Sequence, residues 1–211
     1  MELNIMQMKN SIIVLSLVAL FSVVAFTSCT EGDLVQPDYM LTEEEKNGLL
    51  YLREEEKMAR DVYLHFSDIY SLEIFSNISK SEQIHMDKIL DLLNKYHIED
   101  PAVAERGIFT NAVIQDLYNS LIELGDSSEV HALGVGALIE DVDIYDLTNF
   151  SKGIDNTDLL NVYQKLICAS GNHIRAFTNQ LASHGETFTP QHISQEDYNR
   201  ILSSENGQCG Q

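Results

Sequence analysis

Ser81-Glu82-Gln83-Ile84-His85-Met86-Asp87 is the stretch on which the reading of this chain turns. Glu82 and His85 form an E-x-x-H pair, and on a helix two residues three apart stand one turn from each other on the same face. Followed in both directions, the pattern becomes a seam of Phe75, Ile78, Glu82, His85, Ile89, Leu92 and Tyr96, in steps of three and four. That period is helical, and it assigns a carboxylate and an imidazole to core positions. Burying a carboxylate costs several kcal/mol unless it is paired or bound to a metal. The stretch therefore predicts a helix with a polar site at its centre.

Three further seams show the same interruption. Thr42 and Glu45 make a capping box that opens a helix running to about Tyr70. Its stripe is Leu49, Leu52, Glu56, Ala59, Tyr63, Phe66 and Tyr70, while Glu54 and Glu55 lie off it and are expected in solvent. A short break near Ser71 predicts that this helix and the Glu82 helix pack as an antiparallel hairpin. Ile98 to Asn111, with Pro101 and Gly107, reads as a loop, followed by a short helix from Ala112 to Leu124 that stops at Gly125. Together they make one long connection, of the kind that lets the next helix run parallel to the one before. Asp126 and Glu129 are expected to open that helix, whose stripe is Val130, Leu133, Ala137, Glu140, Ile144 and Leu147, with Asp143 one turn beyond Glu140. Gly153 ends it, and Asp155 with Asp158 starts another with the stripe Leu159, Val162, Leu166, Ser170, His173, Phe177 and Leu181. Gly185 and Pro190 close that helix. A short helix from Ser194 to Leu202 and a flexible tail from 203 to 211 complete the chain.

Four long helices thus each carry a polar group about halfway along an apolar seam: Glu56; Glu82 with His85; Glu140; and Ser170 with His173. The pattern resembles the ferritin-like di-iron carboxylate proteins, in which two helices give one Glu each and two give E-x-x-H. Glu56-x-x-Ala59-Arg60-x-x-Tyr63 resembles the first-helix motif of the rubrerythrin branch, and Thr42 to Leu202 is similar to an uncharacterised bacterial and archaeal ferritin-like family. The resemblance implies an all-α fold, a ferritin-like antiparallel four-helix bundle with one long crossover connection and short extra helices over residues 42–202. It also implies metal ligands at Glu56, Glu82, His85, Glu140 and His173. Ser170 departs from it, because a Glu is expected there, so a single ion or an asymmetric pair stands beside two ions. Asp143 is the candidate for the missing oxygen.

Mixed carboxylate and imidazole ligands suit iron or manganese, and the function implied is metal binding with oxidase- or peroxidase-type redox activity. The alternatives are a non-catalytic bundle with a degenerate site that binds a metal or a partner protein, and a buried network of salt bridges without metal. Tyr63 is a candidate partner for a ligand or a core tyrosine. Arg60 is expected to pair with Glu56 or Asp87 or to face solvent, and His65, His97, His131, His184 and His192 read as surface. Three cysteines are too few for the four-cysteine iron site of full rubrerythrins, so electrons would come from a separate donor. Cys168 reads as a small buried thiol, with pairing to Cys209 open in an oxidising compartment.

The bulk properties set the outer limits. With 44% apolar residues, the 211-residue chain can bury a sizeable core, and its 3 prolines favour long helices. A formal charge of −20 argues against nucleic acid as a partner. Lys9 followed by an apolar run from Ile12 to Phe26 and by Thr27-Ser28-Cys29 resembles a bacterial lipoprotein signal, although Phe26 replaces the usual Leu. Residues 1–28 are then a signal peptide, Cys29 carries the lipid, and residues 29–41 are a tether holding the domain to a cell-envelope membrane. An ordinary secretory signal or an uncleaved anchor helix are the alternatives. A homodimer is compatible with all of this.

Overall fold

The fold is given by a computed structural model that describes residues 40–205 and 207–209. The expected signal peptide, the lipidation site Cys29 and the tether up to residue 39 lie outside the described residues. Among the described residues the chain is all-helical: α1 (Glu43–Tyr70), α2 (Glu73–Lys95), α3 (Ala112–Gly125), α4 (Glu129–Phe150), α5 (Thr157–Ser183) and α6 (Gln195–Ser203). None of these helices is long and apolar enough to cross a membrane.

Local chemistry sets the ends. The Thr42 hydroxyl accepts from the Glu45 N–H while the Glu45 carboxylate accepts from the Thr42 N–H, so two otherwise orphaned donors at the start of α1 are satisfied. Ser71 stops α1 with a left-handed φ of 56°, and only Leu72 separates it from α2. Two starts differ from the expected ones. Ser128, not Asp126, caps α4, and Asn156, not Asp155, caps α5 by accepting from the N–H groups of Asp158 and Leu159. Asp126 instead meets His65 at 2.7 Å.

The packing pairs α1 with α2 and α4 with α5, and it sets α1 on α4 and α2 on α5. One apolar cluster joins Leu49 and Leu52 of α1, Ile89 and Leu93 of α2, Leu147 of α4, and Leu159 and Leu166 of α5. The early residues of α1 and α5 thus lie level with the late residues of α2 and α4, so packed neighbours run antiparallel while α2 and α4 run the same way. The loop and α3 make the long connection this requires. A second cluster, with Tyr63, Phe66, Phe75, Ala132 and Phe177, fills the other end. Gly136 permits the close approach of α4 to α5, since a Cβ there would lie 2.4 Å from the Phe177 ring.

Two features depart from the sequence reading. Glu54 and Glu55 are buried, not solvated, because every residue from Leu52 to Ala59 is covered. Glu54 accepts from the N–H groups of Thr110 and Asn111, fastening the long loop to α1. Lys57 does the same with its ammonium, on the carbonyls of Glu105 and Ile108 and over the Phe109 ring. Cys168 is half-buried and forms a disulfide with Cys209. Gly207 of the expected tail also exchanges backbone hydrogen bonds with the Asn172 side chain.

Candidate metal centre

Between the two apolar clusters the four seams supply their polar residues. α1 contributes Glu56, α2 contributes Glu82 and His85, α4 contributes Glu140 and Asp143, and α5 contributes Ser170 and His173; all are buried. The side chains form two groups able to hold a cation, Glu56–Glu82–His85 and Glu82–Glu140–His173, and in each the ligand atoms lie within 4.8 Å of one another. Glu82 belongs to both. It therefore sits between the two imidazoles, whose rings face each other at 5.7 Å.

Each imidazole is over-subscribed by carboxylates. Nδ1 of His85 lies 2.7 Å from Glu82 Oε2 and 3.1 Å from Glu56 Oε2. Nδ1 of His173 lies 3.0 Å from Glu82 Oε1 and 3.3 Å from Glu140 Oε2. One nitrogen can donate one proton, so four acceptors converge on two donors. Glu56 Oε1, Glu82 Oε1 and Asp143 Oδ1 are buried without a hydrogen-bond partner, Glu82 Oε1 despite lying 3.0 Å from His173 Nδ1. Native interiors rarely leave carboxylate oxygens so. This donor set, oxygen-rich with one nitrogen on each side, fits a pair of divalent cations.

Charge points the same way. Five buried carboxylates (Glu55, Glu56, Glu82, Glu140 and Asp143) meet two imidazoles, an excess of three negative charges even with both rings protonated. The buried cations of α1 are committed elsewhere, Arg53 to Asp100 and Lys57 to Asp61. Protons must then stand in for missing positive charge. Burial pushes the Glu56 carboxyl up to about 7 against the pull of His85. It raises Glu140 against the pull of His173. Burial and the Glu56 and Glu140 carboxylates raise Asp143 well above its ordinary range. Glu82 runs the other way: burial opposes its charge, but the flanking His85 and His173 hold it well below the usual carboxylate range. Burial disfavours the His85 cation, yet Glu82 and Glu56 raise it well above its ordinary value. For His173, Glu140 and Glu82 likewise overcome burial and lift it to about 10.

The remaining candidates take supporting positions. Tyr63 is fully buried, and its hydroxyl donates to Glu140 Oε1 at 2.6 Å, leaving Oε2 towards His173. Ser170 donates to Asp143 Oδ2 and to the Leu166 carbonyl, so it positions Asp143. Asp143 belongs to neither group of cation-binding atoms. Arg60 pairs with neither Glu56 nor Asp87; it binds Asp61 and Gln83. Glu55 is the residue the seam pattern missed. Its oxygens meet no N–H or hydroxyl donor, and its neighbours are the carboxyls of Asp143, Asp146 and Glu56. Burial and those neighbours raise it well above the ordinary carboxylate range. The seam held no signal for it, because the helix has no solvent face at that level.

A family profile described as "Uncharacterized protein domain (DUF2202)" matches residues 45–205, and the chain belongs to that family. Among its relatives is the "Uncharacterized protein MJ0754" of Methanocaldococcus jannaschii, 50% identical over 169 residues that make up 80% of this chain and 91% of the relative. The crystal structure of the hypothetical protein MJ0754 from Methanococcus jannaschii superposes with a TM-score of 0.80 at 49% identity, covering 81% of this chain and 98% of that one. The all-helical fold is thus shared with a solved structure.

Proposed function

We propose that this protein is a ferritin-like four-helix bundle, formed by α1, α2, α4 and α5, that binds two divalent transition-metal ions between its histidines and carboxylates. The observation that carries the reading is the pair of imidazole nitrogens that each face two carboxylate oxygens. A proton on each nitrogen satisfies one of the two; a cation in the same place satisfies both. Glu56 and His85 would hold one ion, Glu140 and His173 the other, and Glu82 would bridge them. Two divalent ions also offset the charge of the four carboxylates Glu56, Glu82, Glu140 and Asp143, with the imidazoles neutral and Glu55 protonated. Iron and manganese suit such ligands, and they would supply one-electron redox chemistry of the oxidase or peroxidase type.

The chain's own residues prepare that chemistry. Tyr63 fixes the Glu140 carboxylate through one oxygen and leaves the other for an ion. Its phenol is raised well above its ordinary value by burial and by Glu140, so it remains a neutral donor at physiological pH. Ser170 turns Asp143 so that one oxygen stays unbonded in the site, a reserve of negative charge on α4 where the resemblance expects a Glu on α5. The apolar clusters close the site off at its two ends along the helix axes.

The same substitution favours a second reading. With Ser170 in place of a bridging Glu, the bundle is a non-catalytic metal- or partner-binding protein. Metal analysis of purified protein after supply of iron or manganese, followed by turnover with hydrogen peroxide and an electron donor, tests both. About two ions per chain with turnover supports the redox reading. Bound metal without turnover leaves the second, and protein that stays metal-free overturns metal binding in both and leaves only a partner-binding bundle. The segment from Ile12 to Cys29 supports an exported, lipid-anchored location; Cys29→Ala should release the protein from the membrane fraction, and unchanged association would count against it.

A further inference from the structure

A cleft of about 1010 Å³ opens between α2 and α5, and both site histidines, His85 and His173, reach its floor. Its wall is completed from a distance in sequence. Gly207 to Cys209 lie along the α5 side, held by the Cys168–Cys209 disulfide and by the Asn172 hydrogen bonds to Gly207. Gly207 is matched to this place, since a Cβ there would lie 2.7 Å from the Cys168 sulfur.

The lining is out of character with the rest of the chain. The protein carries 33 acidic residues against 13 basic ones, yet among the described residues no Asp or Glu lines this cleft, and Lys88 of α2 and Lys165 of α5 do. Six of the described cations, Arg53, Lys57, Arg60, Lys95, Arg106 and Arg200, each sit on a carboxylate. Neither Lys88 nor Lys165 has an ion pair among the described residues. Two uncompensated ammonium groups on facing helices, in a chain whose overall field repels anions, make a local attraction for negative charge. The cleft also offers apolar surface, with Ile84 55% exposed beside the lysines. Its volume exceeds what an inorganic anion fills and matches a site for a small organic molecule.

We propose that this cleft binds a small organic anion, a carboxylate or phosphate headgroup on an apolar body, with the headgroup held by Lys88 and Lys165 and the molecule set against His85 and His173. The proposal deepens the metal reading, and it rests on that reading only for what the anion meets at the floor. Headgroup recognition follows from the lysines, while the body packs on Ile84 and Ala169. Among the described residues the lining itself presents no carboxylate, and those behind the two histidines are the ones that the proposed metal ions would offset.

The test uses the purified chain, metal-free and manganese-supplied, with phenyl phosphate and benzoate as probes, inorganic phosphate as the bare headgroup and benzyl alcohol as the neutral body. Binding is measured by calorimetry for wild type and for the Lys88→Glu/Lys165→Glu double variant. One or both aromatic anions should bind, more tightly than inorganic phosphate or benzyl alcohol, and the double variant should weaken that binding at least about tenfold. Its melting temperature and metal content should stay at wild-type values. Absence of binding by either aromatic anion, or a double variant within about twofold of wild type, overturns the proposal. Lysine-dependent binding by a protein that never takes up metal would uphold the anion site and sink the metal reading. Metal uptake without anion binding would do the reverse.

Discussion

Glu82→Gln is the perturbation that separates a metal centre from a buried polar network. Gln keeps the shape and removes the charge of the one residue shared by both ligand groups. In the metal-free protein the loss is modest. His85 keeps Glu56 at 3.1 Å and His173 keeps Glu140 at 3.3 Å, so neither imidazole is left without an anion. Removing a negative charge also relieves repulsion among the remaining carboxyls. The cost should be about 1–2 kcal/mol, below the 3–5 kcal/mol of a buried charge left alone. The metal-loaded protein responds differently. Binding to the folded state alone adds about 2.7 kcal/mol per ion at a hundredfold excess over its Kd, hence about 5 kcal/mol for two ions. In a domain of this size that corresponds to a rise in melting temperature of roughly 10–20 °C. Calorimetric melting with manganese and with chelator should show this increment in wild type and lose most of it in Glu82→Gln. A wild type whose melting temperature ignores both manganese and chelator would refute the reasoning, as would a variant that keeps the full increment.

Metal affinity should rise with pH. Glu140 and Glu82 hold the His173 proton up to about 10, so its contribution to metal-free stability is complete below the ordinary imidazole value of about 6.5 and is lost as pH climbs through about 10. A metal displaces that proton and the one on His85, so chelator competition should show apparent manganese affinity gaining about 10–100-fold per pH unit between pH 6 and 8; a flat profile would contradict this. Tyr63→Phe removes the donor to Glu140 and should cost about 1.5–3 kcal/mol in urea unfolding while retaining metal. A loss under 0.5 kcal/mol, well short of about 1 kcal/mol for an ordinary hydrogen bond, would mean that Glu140 does not depend on it. Gly136→Ala drives a methyl to 2.4 Å from Phe177 and should destabilise by at least about 1–3 kcal/mol, whereas Gly134→Ala, with nothing within 4 Å, should gain about 0.5–1 kcal/mol. Equal effects in denaturant melts would contradict the packing of α4 on α5.

The helices and the candidate ligands were legible because both follow from one periodicity. A seam of threes and fours marks the buried face, and Glu56, Glu82, His85, Glu140 and His173 interrupt it at comparable depth. What the seam could not show is a second buried face. Glu54 reads as solvated because it lies off the seam, yet the 98–111 loop covers it together with Arg53, Lys57 and Asp61 and uses all four as anchors. Asp141 is a parallel case, fully buried because it accepts from the N–H groups of Gln191, His192 and Ile193. Such residues are buried by loop backbone, which has no periodicity of its own. Glu55 failed for the related reason that a helix enclosed on all sides has no outward face to assign. The helix starts at Ser128 and Asn156 were missed because several capping residues stand within reach of each, and geometry decides among them. The Cys168–Cys209 bridge depends on how Gly207 to Cys209 lie against α5, which residue types alone do not encode.

The most direct test of the central claim is anomalous diffraction at the manganese or iron edge from crystals of the metal-supplied protein. The account predicts two peaks in the bundle interior, one between Glu56 and His85 and one between Glu140 and His173, with the Glu82 carboxylate between them. A map with no peak beside Glu82, or with peaks only at exposed carboxylates, would contradict it.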